Sequence, residues 1–322
     1  MRAYAIVMLD AARANAEVGR MKKERLEAIE KACLAVMEGK YHDQFLVDLY
    51  QGGAGTSANM NANEVLANIA LEMSGHKKGE YQFIEPHDDL NMGQSTNDVY
   101  PTAIKVALLL HNDKLIKEAE ALSASFHKKG EEFKNLLKMG RTEGQDAVPM
   151  TLGQEFHAFG NQLDAEITAL RKAESFLCEQ NMGATAIGTG ITATPGYAEK
   201  VAVHLAKITG KPIVMSKDLI AATSSQQGFV VYSSALKSLA ITVSKISSDL
   251  IFLASGPRTG IFEINLPALQ PGSSIMPGKV NPVMPEFMNP VCFNAIADHL
   301  TGTLAALPWL LHMKAHEPVE SQ

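Results

Sequence analysis

The sequence predicts a mainly all-α protein, a long antiparallel helical bundle with a smaller mixed N-terminal domain of helices and irregular loops. Three observations predict this class. Apolar residues recur every three or four positions over long stretches, Gly- and Pro-rich segments separate those stretches, and there is little sign of a substantial sheet. Helices connected in this way form bundles whose functional loops lie at the helix ends. We expect the N-terminal domain at 1–97 and the bundle domain at 98–322.

The first 99 residues are predicted to hold three helices joined by irregular segments. These helices are expected at 2–17, 22–38 and 59–74. A Gly-rich loop at 50–55 precedes the third helix. Residues 77–97 are expected to be largely irregular because they carry Pro86, Gly93 and many polar side chains. Longer helical periodicity begins after them, so the domain boundary is placed near Asn97.

Three long helical patterns follow, and their apolar stripes are assigned to the core. The stripes are Leu108, Leu115, Leu122 and Phe126 within 100–139, then Phe156, Phe159, Leu163, Ile167, Leu170 and Leu177 within 151–178, and finally Leu236, Leu239, Val243, Ile246, Leu250 and Leu253. The last stripe alternates steps of three and four, which is the pattern of a helix-packing seam. Breakers are expected between the helices, at 139–149, 183–196 and 256–282.

The composition predicts a soluble cytoplasmic protein. The 322 residues are 46% hydrophobic and 20% charged, with a net charge of −6, and no basic tract points to nucleic acid. Three widely spaced cysteines, Cys33, Cys178 and Cys292, give no disulfide framework and fit a reducing cytosol. No signal-peptide core is present, and no run of about 18 apolar residues indicates a membrane span.

The most informative segment is 272–282, Gly-Ser-Ser-Ile-Met-Pro-Gly-Lys-Val-Asn-Pro, which we call the serine loop. Its glycines and prolines oppose regular helix, so a surface loop is expected. Hydroxyls, an ammonium group and exposed backbone N–H groups suit a small dianionic substrate. The segment differs from a nucleotide-phosphate loop because Val280 follows Lys279, where a Ser or Thr would coordinate magnesium. An ordinary polar turn is the alternative.

Three further loops are rich in neutral hydrogen-bond donors. They lie at 51–61, 91–98 and 140–146. Each alone is explained by turns or helix caps, since Ser, Thr, Asn and Asp are favoured there, and Asp98 before a long helix fits that explanation. Together with the serine loop, they indicate a carboxylate-binding pocket assembled from distant parts of the chain.

Five segments resemble conserved blocks of the aspartate ammonia-lyases (aspartases), members of the aspartase/fumarase superfamily. These segments are 51–68, 94–102, 140–156, 183–190 and 264–286. The likeness extends over essentially the whole chain, and it implies a lyase of aspartate metabolism that releases fumarate. Lys-Val-Asn-Pro at 279–282 precedes Val-Met-Pro-Glu at 283–286, as in aspartases, whereas fumarases usually carry Thr-Gln-Cys-Glu there.

The resemblance also implies roles for the matching residues. Ser273 matches the catalytic base that removes the Cβ proton of aspartate. The implied substrate-binding residues are Thr56, Ser95, Thr96, Asn97, Thr142, Glu143, Ser274, Lys279 and Asn281. No cofactor and no metal are expected, since no HExxH or nucleotide fingerprint occurs. Active sites of the family combine three subunits, which implies a homotetramer acting on a small dicarboxylate.

A serine base needs strong stabilisation of its alkoxide. A lysine charge about 4 Å away contributes about 4 kcal/mol at an effective dielectric of about 20, which corresponds to roughly 3 pKa units. One lysine is therefore insufficient. Backbone N–H groups around 272–274, together with exclusion of water when the loop closes, are expected to supply the rest.

The leaving group favours amine elimination. Many superfamily members place a His where this chain has Glu143, and a Glu suits a substrate ammonium better than a departing hydroxide. Glu143 facing solvent is the alternative for that residue. For the whole protein, the alternatives are a fumarate hydratase or another fumarate-releasing lyase, and a non-catalytic truncated relative that acts as an assembly partner.

The resemblance implies a chain truncated at both ends. A full-length aspartase has more sequence before the region matching Met1 and after the match at 317–319, so both domains are expected to be incomplete. Residues 316–322 are expected to end inside a long helix, and Pro308 interrupts a predicted helix. The segment 86–89 and Gly144 depart locally from the family pattern.

Overall fold

The computed structural model describes residues 1–48 and 50–307, and the mainly all-α class is confirmed. The helices in these residues are α1 Arg2–Glu17, α2 Lys23–Met37, α3 Thr56–Met73, α4 Thr96–Glu132, α5 Leu152–Glu174, α6 Tyr197–Thr209, α7 Leu219–Ser224, α8 Gln227–Leu253 and α9 Val283–Ala305. The strands are β1 Leu137–Thr142, β2 Gln145–Thr151, β3 Glu179–Gln180 and β4 Val214–Met215. The predicted helix end at 316–322 and Pro308 lie outside the described residues.

The described chain forms two compact units. The first contains Met1–Asn112, Glu174–Val231 and the described residues from Thr301 onward. The second contains Asp113–Ala173 and Tyr232–Leu300. The domain boundary near Asn97 divides the chain differently and stays a prediction.

The core of the first unit is built around α1. Its residues Ile6, Val7, Met8 and Leu9 are almost completely buried, because α1 packs against α2, α6 and α3. The three predicted N-terminal helices are confirmed to within a few residues. In the segment predicted to be irregular, one turn of π-helix forms at Pro86–Leu90.

Gly55 sets the start of α3, three residues before the predicted start. It has a left-handed φ of 83°, and an added Cβ would lie 2.6 Å from the ring of Tyr100 on α4. We expect Gly55→Ala to lower the free energy of unfolding by about 2 to 4 kcal/mol, combining left-handed strain with overpacking. Gly79→Ala is the matched control, since Gly79 has a φ of 81° with nothing within 4 Å, and it should cost only about 1 kcal/mol. Equal losses in urea denaturation would contradict the steric argument.

The stripes of the long helices are confirmed in α5 and corrected in α4. All five apolar α5 positions and Leu177 are buried. On α4, Phe126 is buried as predicted, but Leu122 is 39% exposed and Leu108 and Leu115 are only half-buried, so the stripe is wrong at these three positions. The buried residues there include Leu109 and Ile116 instead. The α4 helix also ends at Glu132 rather than at 139, because β1 begins at Leu137.

The segment 139–149, predicted as a breaker, belongs to an antiparallel β-hairpin. Strand β1 pairs with β2 in a register that sets Thr142 opposite Gln145. The two residues between them, Glu143 and Gly144, have φ values of 54° and 78°. Positive φ at both central residues is the type I′ turn that suits a two-residue hairpin. Gly144, which departs from the Leu usual in the family, therefore has a conformational reason here.

By length and composition alone, one of the described helices, α8, would reach across a membrane. Its 27 residues have a mean hydropathy of 1.3 over the most apolar window. The core helix of a soluble protein passes the same test, so this evidence is weak. The predicted stripe is confirmed in part: Leu239, Ile246 and Leu253 are buried, whereas Leu236, Val243 and Leu250 are half-buried.

Candidate active site

The serine loop is closed by contacts between its two ends. The backbone N–H of Gly272 donates to the carbonyl of Lys279 over 2.8 Å, and Asn281 Nδ2 donates back to the Gly272 carbonyl over 3.3 Å. A Cβ on Gly272 would lie 2.8 Å from the Lys279 oxygen and from the Asn281 nitrogen. Glycine is therefore required here by the closure of the loop, and Asn281 helps to hold that closure.

Ser273 sits where two backbone donors meet. Its Oγ accepts hydrogen bonds from the N–H groups of Ile275, at 3.2 Å, and Met276, at 3.1 Å. The sequence placed the stabilising donors at 272–274, and the structure places them at 275 and 276 instead. Two N–H groups aimed at one hydroxyl oxygen favour its ionised form, as in an oxyanion hole.

Ser273 and Lys279 line one cavity of about 430 Å³. Apolar walls come from Leu269, Pro271 and Val280. These side chains are themselves exposed, Leu269 by 60% and Val280 by 49%, so the cavity is open to water. Ser274 is exposed and lies outside this cavity, as does Asn281.

Thr142 and Glu143 lie together at the exposed tip of the β1–β2 hairpin. Glu143 is the first central residue of the turn, with a φ of 54°. Neither residue lines the cavity of the serine loop. The hairpin thus presents a hydroxyl and a carboxylate side by side.

In the first unit, Ser95, Thr96 and Asn97 form the start of α4, which we call the cradle. Ser95 caps the helix: its Oγ accepts from the Asn97 N–H over 3.2 Å, while its own N–H donates to Asp98 Oδ1 over 2.9 Å. This reciprocal pattern is a capping box. The cradle therefore has a fixed backbone, in which the N–H groups of Asp98 and Val99 also donate to the Ser95 carbonyl, over 3.1 and 3.0 Å.

An asparagine cluster that the sequence reasoning missed joins α3 to the cradle, whereas the Thr56 hydroxyl donates to the Gly53 carbonyl over 2.8 Å. Asn59, buried three residues after Thr56 on α3, donates through Nδ2 to Thr96 Oγ1 and to Asn91 Oδ1, each over 3.1 Å. Asn63, one turn later, donates to the same Asn91 oxygen over 3.1 Å. Two asparagines four apart on an otherwise apolar helix face were the available signal.

The segment 183–190 is tied to the cradle through Asp98 and Asn97. Asp98 Oδ2 accepts from the N–H of Gly183, at 3.2 Å, and of Thr185, at 2.8 Å. Asn97 Nδ2 donates to the Ala186 carbonyl over 2.7 Å. Complete burial raises the pKa of Asp98 to about 7, although the backbone donors oppose that rise. The cradle and this segment thus share one buried carboxylate.

Among the described residues, no group of three or more His, Cys, Asp or Glu side chains is placed to hold a metal ion. The predicted site residues carry hydroxyls, amides, one carboxylate and one ammonium group. The absence of a cofactor stays a prediction.

Comparison with known proteins identifies the family. The model of the lyase family matches residues 2–297. The chain belongs to the lyase family. This lyase is 54% identical over 318 residues to an aspartate ammonia-lyase of Pseudomonas aeruginosa. The aligned residues cover 98% of this chain and 67% of that protein. It is 50% identical over 323 residues to the aspartate ammonia-lyase of Escherichia coli (strain K12), covering 100% of this chain and 68% of that protein.

Solved structures place the lyase in the same superfamily. A fumarate lyase:delta crystallin from Brucella melitensis, solved bound to cobalt, superposes with a TM-score of 0.96 at 48% identity, over 99% of this chain and 70% of that one. A class II fumarase from Schistosoma mansoni superposes with a TM-score of 0.97 at 32% identity, over 99% and 70%. The predicted membership of the aspartase/fumarase superfamily is confirmed. The chain spans about two thirds of the length of these curated relatives.

Proposed function

We propose that this lyase eliminates ammonia from L-aspartate to give fumarate, with Ser273 as the base. The observation that carries the proposal is the pair of N–H donors from Ile275 and Met276 on Ser273 Oγ, beside a cavity that Lys279 also lines. Together they supply the alkoxide stabilisation that one lysine alone lacks.

In the proposed reaction, the Ser273 alkoxide takes the Cβ proton of aspartate. The C–H electron pair moves into the adjacent carboxylate, which becomes an aci-carboxylate with two negative charges on its oxygens. That pair then forms the C=C bond of fumarate while the C–N bond breaks. The two electrons of the C–N bond leave with neutral ammonia. Hydrogen-bond donors at Ser95, Thr96 and Asn97, with Thr56 and Thr142, are assigned to the substrate carboxylates.

We prefer aspartate to malate as the substrate because the ammonium group of aspartate is already protonated and leaves as neutral ammonia. The hydroxyl group of malate needs an acid that protonates it as it leaves. The two relatives at 50% and 54% identity are aspartate ammonia-lyases, and the fumarase structure is 32% identical. The assay is the absorbance of fumarate with aspartate, malate or argininosuccinate as substrate. Turnover of malate alone would establish a fumarate hydratase instead. A well-folded oligomer inactive on all three would establish a non-catalytic assembly partner.

We also propose that Glu143 binds the substrate ammonium. It is exposed at the hairpin tip, so an ion pair there is worth little, and we expect Glu143→Gln to raise KM for aspartate about two- to fivefold with little change in kcat. Glu24→Gln, at an exposed position on α2, is the control. An unchanged KM would favour the alternative in which Glu143 only faces solvent.

The proposed assembly is a cytoplasmic homotetramer with shared active sites. A bundle of this family buries apolar helix faces between subunits, and large apolar side chains are exposed along α9, including Phe287, Phe293 and Leu300. Light scattering of the purified chain measures the assembly directly. A monomer would contradict shared sites.

A further inference from the structure

A group of half-buried charges in the second unit joins the hairpin to the segment that follows α8. Glu263 Oε1 accepts a hydrogen bond from Arg141 Nη2 over 2.6 Å, and Glu263 Oε2 lies 2.8 Å from Lys138 Nζ. Lys138 Nζ also donates to Glu155 Oε2, at the start of α5, over 2.7 Å. The side chains of Lys138, Arg141 and Glu263 are only 7%, 20% and 19% exposed. Charge pairs so far removed from water hold a defined geometry.

The backbone of Glu263 is fixed as firmly as its side chain. Its N–H donates to the Leu253 carbonyl over 2.9 Å, at the last residue of α8, and the neighbouring Phe262 N–H donates to the Ser255 carbonyl over 2.8 Å. The chain therefore folds back on the end of α8 before it continues toward the serine loop. Glu263 is anchored at the helix end and points its carboxylate at β1.

The sequence positions of these residues connect two parts of the candidate site. Arg141 directly precedes Thr142 on β1, and Glu263 lies ten residues before Ser273. A carboxylate bound to both Lys138 and Arg141 therefore holds strand β1 against the segment that leads into the serine loop.

We propose that Glu263 is a positioning residue for the elimination, which sets the hairpin carrying Thr142 and Glu143 relative to the segment that carries Ser273. It acts through Arg141 and Lys138 and touches no substrate. This inference rests on the proposed function for its kinetic consequences, but the coupling of the two segments is measurable without activity.

The Glu263 side chain stays ionised at pH values near neutrality. Partial burial by itself raises the pKa of Glu263, but the hydrogen bonds and charges of Arg141 and Lys138 outweigh it and hold that pKa below its usual value. A carboxyl with a depressed pKa stabilises the fold above its unfolded pKa, and this stabilisation is lost only as the pH falls through the folded pKa. The effect of Glu263 should therefore be independent of pH near neutrality.

The test compares Glu263→Gln and Glu263→Asp with the wild type in two measurements. We expect Glu263→Gln to lower kcat about 10-fold or more with little change in KM, because misplaced groups reduce catalysis more than binding. Hydrogen–deuterium exchange should rise in 137–142 and 264–282 but not in α1. Glu263→Asp keeps the charge and should recover part of both effects, and it serves if the Gln variant fails to fold. Glu120→Gln is the matched control, since Glu120 pairs with Arg171 on the exposed faces of α4 and α5.

Two kinds of result in the Glu263 variants would overturn the proposal. If Glu263→Gln keeps the wild-type kcat and the wild-type hydrogen–deuterium exchange, the Glu263 carboxylate does not couple the hairpin to the segment that leads into the serine loop. Exchange raised equally throughout the protein, or no recovery with Asp, would make Glu263 a general stability residue. If the wild type has no lyase activity but exchange rises only in the two named segments, the proposed function fails while the coupling stands.

Discussion

Replacing Ser273 with alanine is expected to lower kcat for ammonia elimination by about 10²- to 10⁴-fold, the range typical of a lost proton-transfer group. The physical reason is local, because the variant removes the oxygen on which the Ile275 and Met276 N–H groups converge. The contacts that close the loop, from Gly272 to Lys279 and from Asn281 to Gly272, do not involve the Ser273 side chain. The loop should therefore keep its shape, and the loss should appear in kcat rather than in stability.

The measurement is steady-state release of fumarate together with binding of fumarate by calorimetry. We expect the dissociation constant to change little, since the cradle and Lys279 remain. Ser125→Ala is the control, because the Ser125 hydroxyl bonds only the carbonyl of Ala121 on its own helix. A Ser273→Ala variant that keeps more than about a tenth of the wild-type kcat would exclude Ser273 as the base.

The serine loop shows what a sequence determines locally. Its glycines, prolines and polar residues predict a surface loop, and the structure adds the contacts between Gly272, Lys279 and Asn281 that close it. The donors on Ser273 were placed two or three residues too early. The reason is that hydrogen bonds within a turn depend on backbone angles, and residue type fixes those angles only at glycine and proline.

Helix α4 shows where a sequence pattern misleads. The predicted stripe followed Leu108, Leu115, Leu122 and Phe126. Phe126 is buried, but at each of the other three positions the buried residue is the next one along the chain. The buried seam contains Thr102, Leu109, Asn112, Ile116, Ala119, Ser123 and Phe126. Three of these seven residues are polar and buried, so a search for apolar repeats passes over them. Their partners come from elsewhere in the chain, as with Asn112 Nδ2, which donates to Glu174 Oε2 over 2.6 Å.

The asparagine cluster was missed for the same reason, because its hydrogen-bond partners come from distant parts of the chain. Asn59, Asn63 and Asn91 are ordinary loop or helix residues in sequence, and only folding brings the amide nitrogens of Asn59 and Asn63 within 3.1 Å of the Asn91 amide oxygen. A single sequence carries no record of such contacts between distant segments. It nevertheless predicts the loops themselves, because each loop has a composition that opposes regular structure.

The second prediction with a large expected effect concerns the buried carboxylate of Asp98. We expect Asp98→Asn to lower kcat about 100-fold above neutral pH, since misplacing substrate-binding groups by about 1 Å can cost that much. The carboxylate accepts the N–H groups of Ser95, Gly183 and Thr185, and an amide places an NH₂ group against at least one of those donors. Hydrogen–deuterium exchange should rise in 183–190. A variant with wild-type kcat would show that Asp98 does not position the cradle.

The pH dependence separates this role from ordinary burial. Because the folded pKa of Asp98, about 7, lies above the model value of 3.8, the folded state binds the proton more tightly, and this group's contribution to the free energy of unfolding decreases as the pH rises from about 4 to about 7. Activity should change in the opposite direction, since the protonated carboxyl accepts fewer N–H groups, so kcat falls as the pH drops through about 7. Asp10 is the matched control, because burial also raises its pKa to about 7 and it lies on α1, outside the candidate site. Asp10→Asn should therefore weaken the pH dependence of the free energy of unfolding and keep the fall of kcat (the acid limb) below pH about 7. Asp98→Asn should remove that fall of kcat. An acid limb that survives in Asp98→Asn would assign the titration to another group.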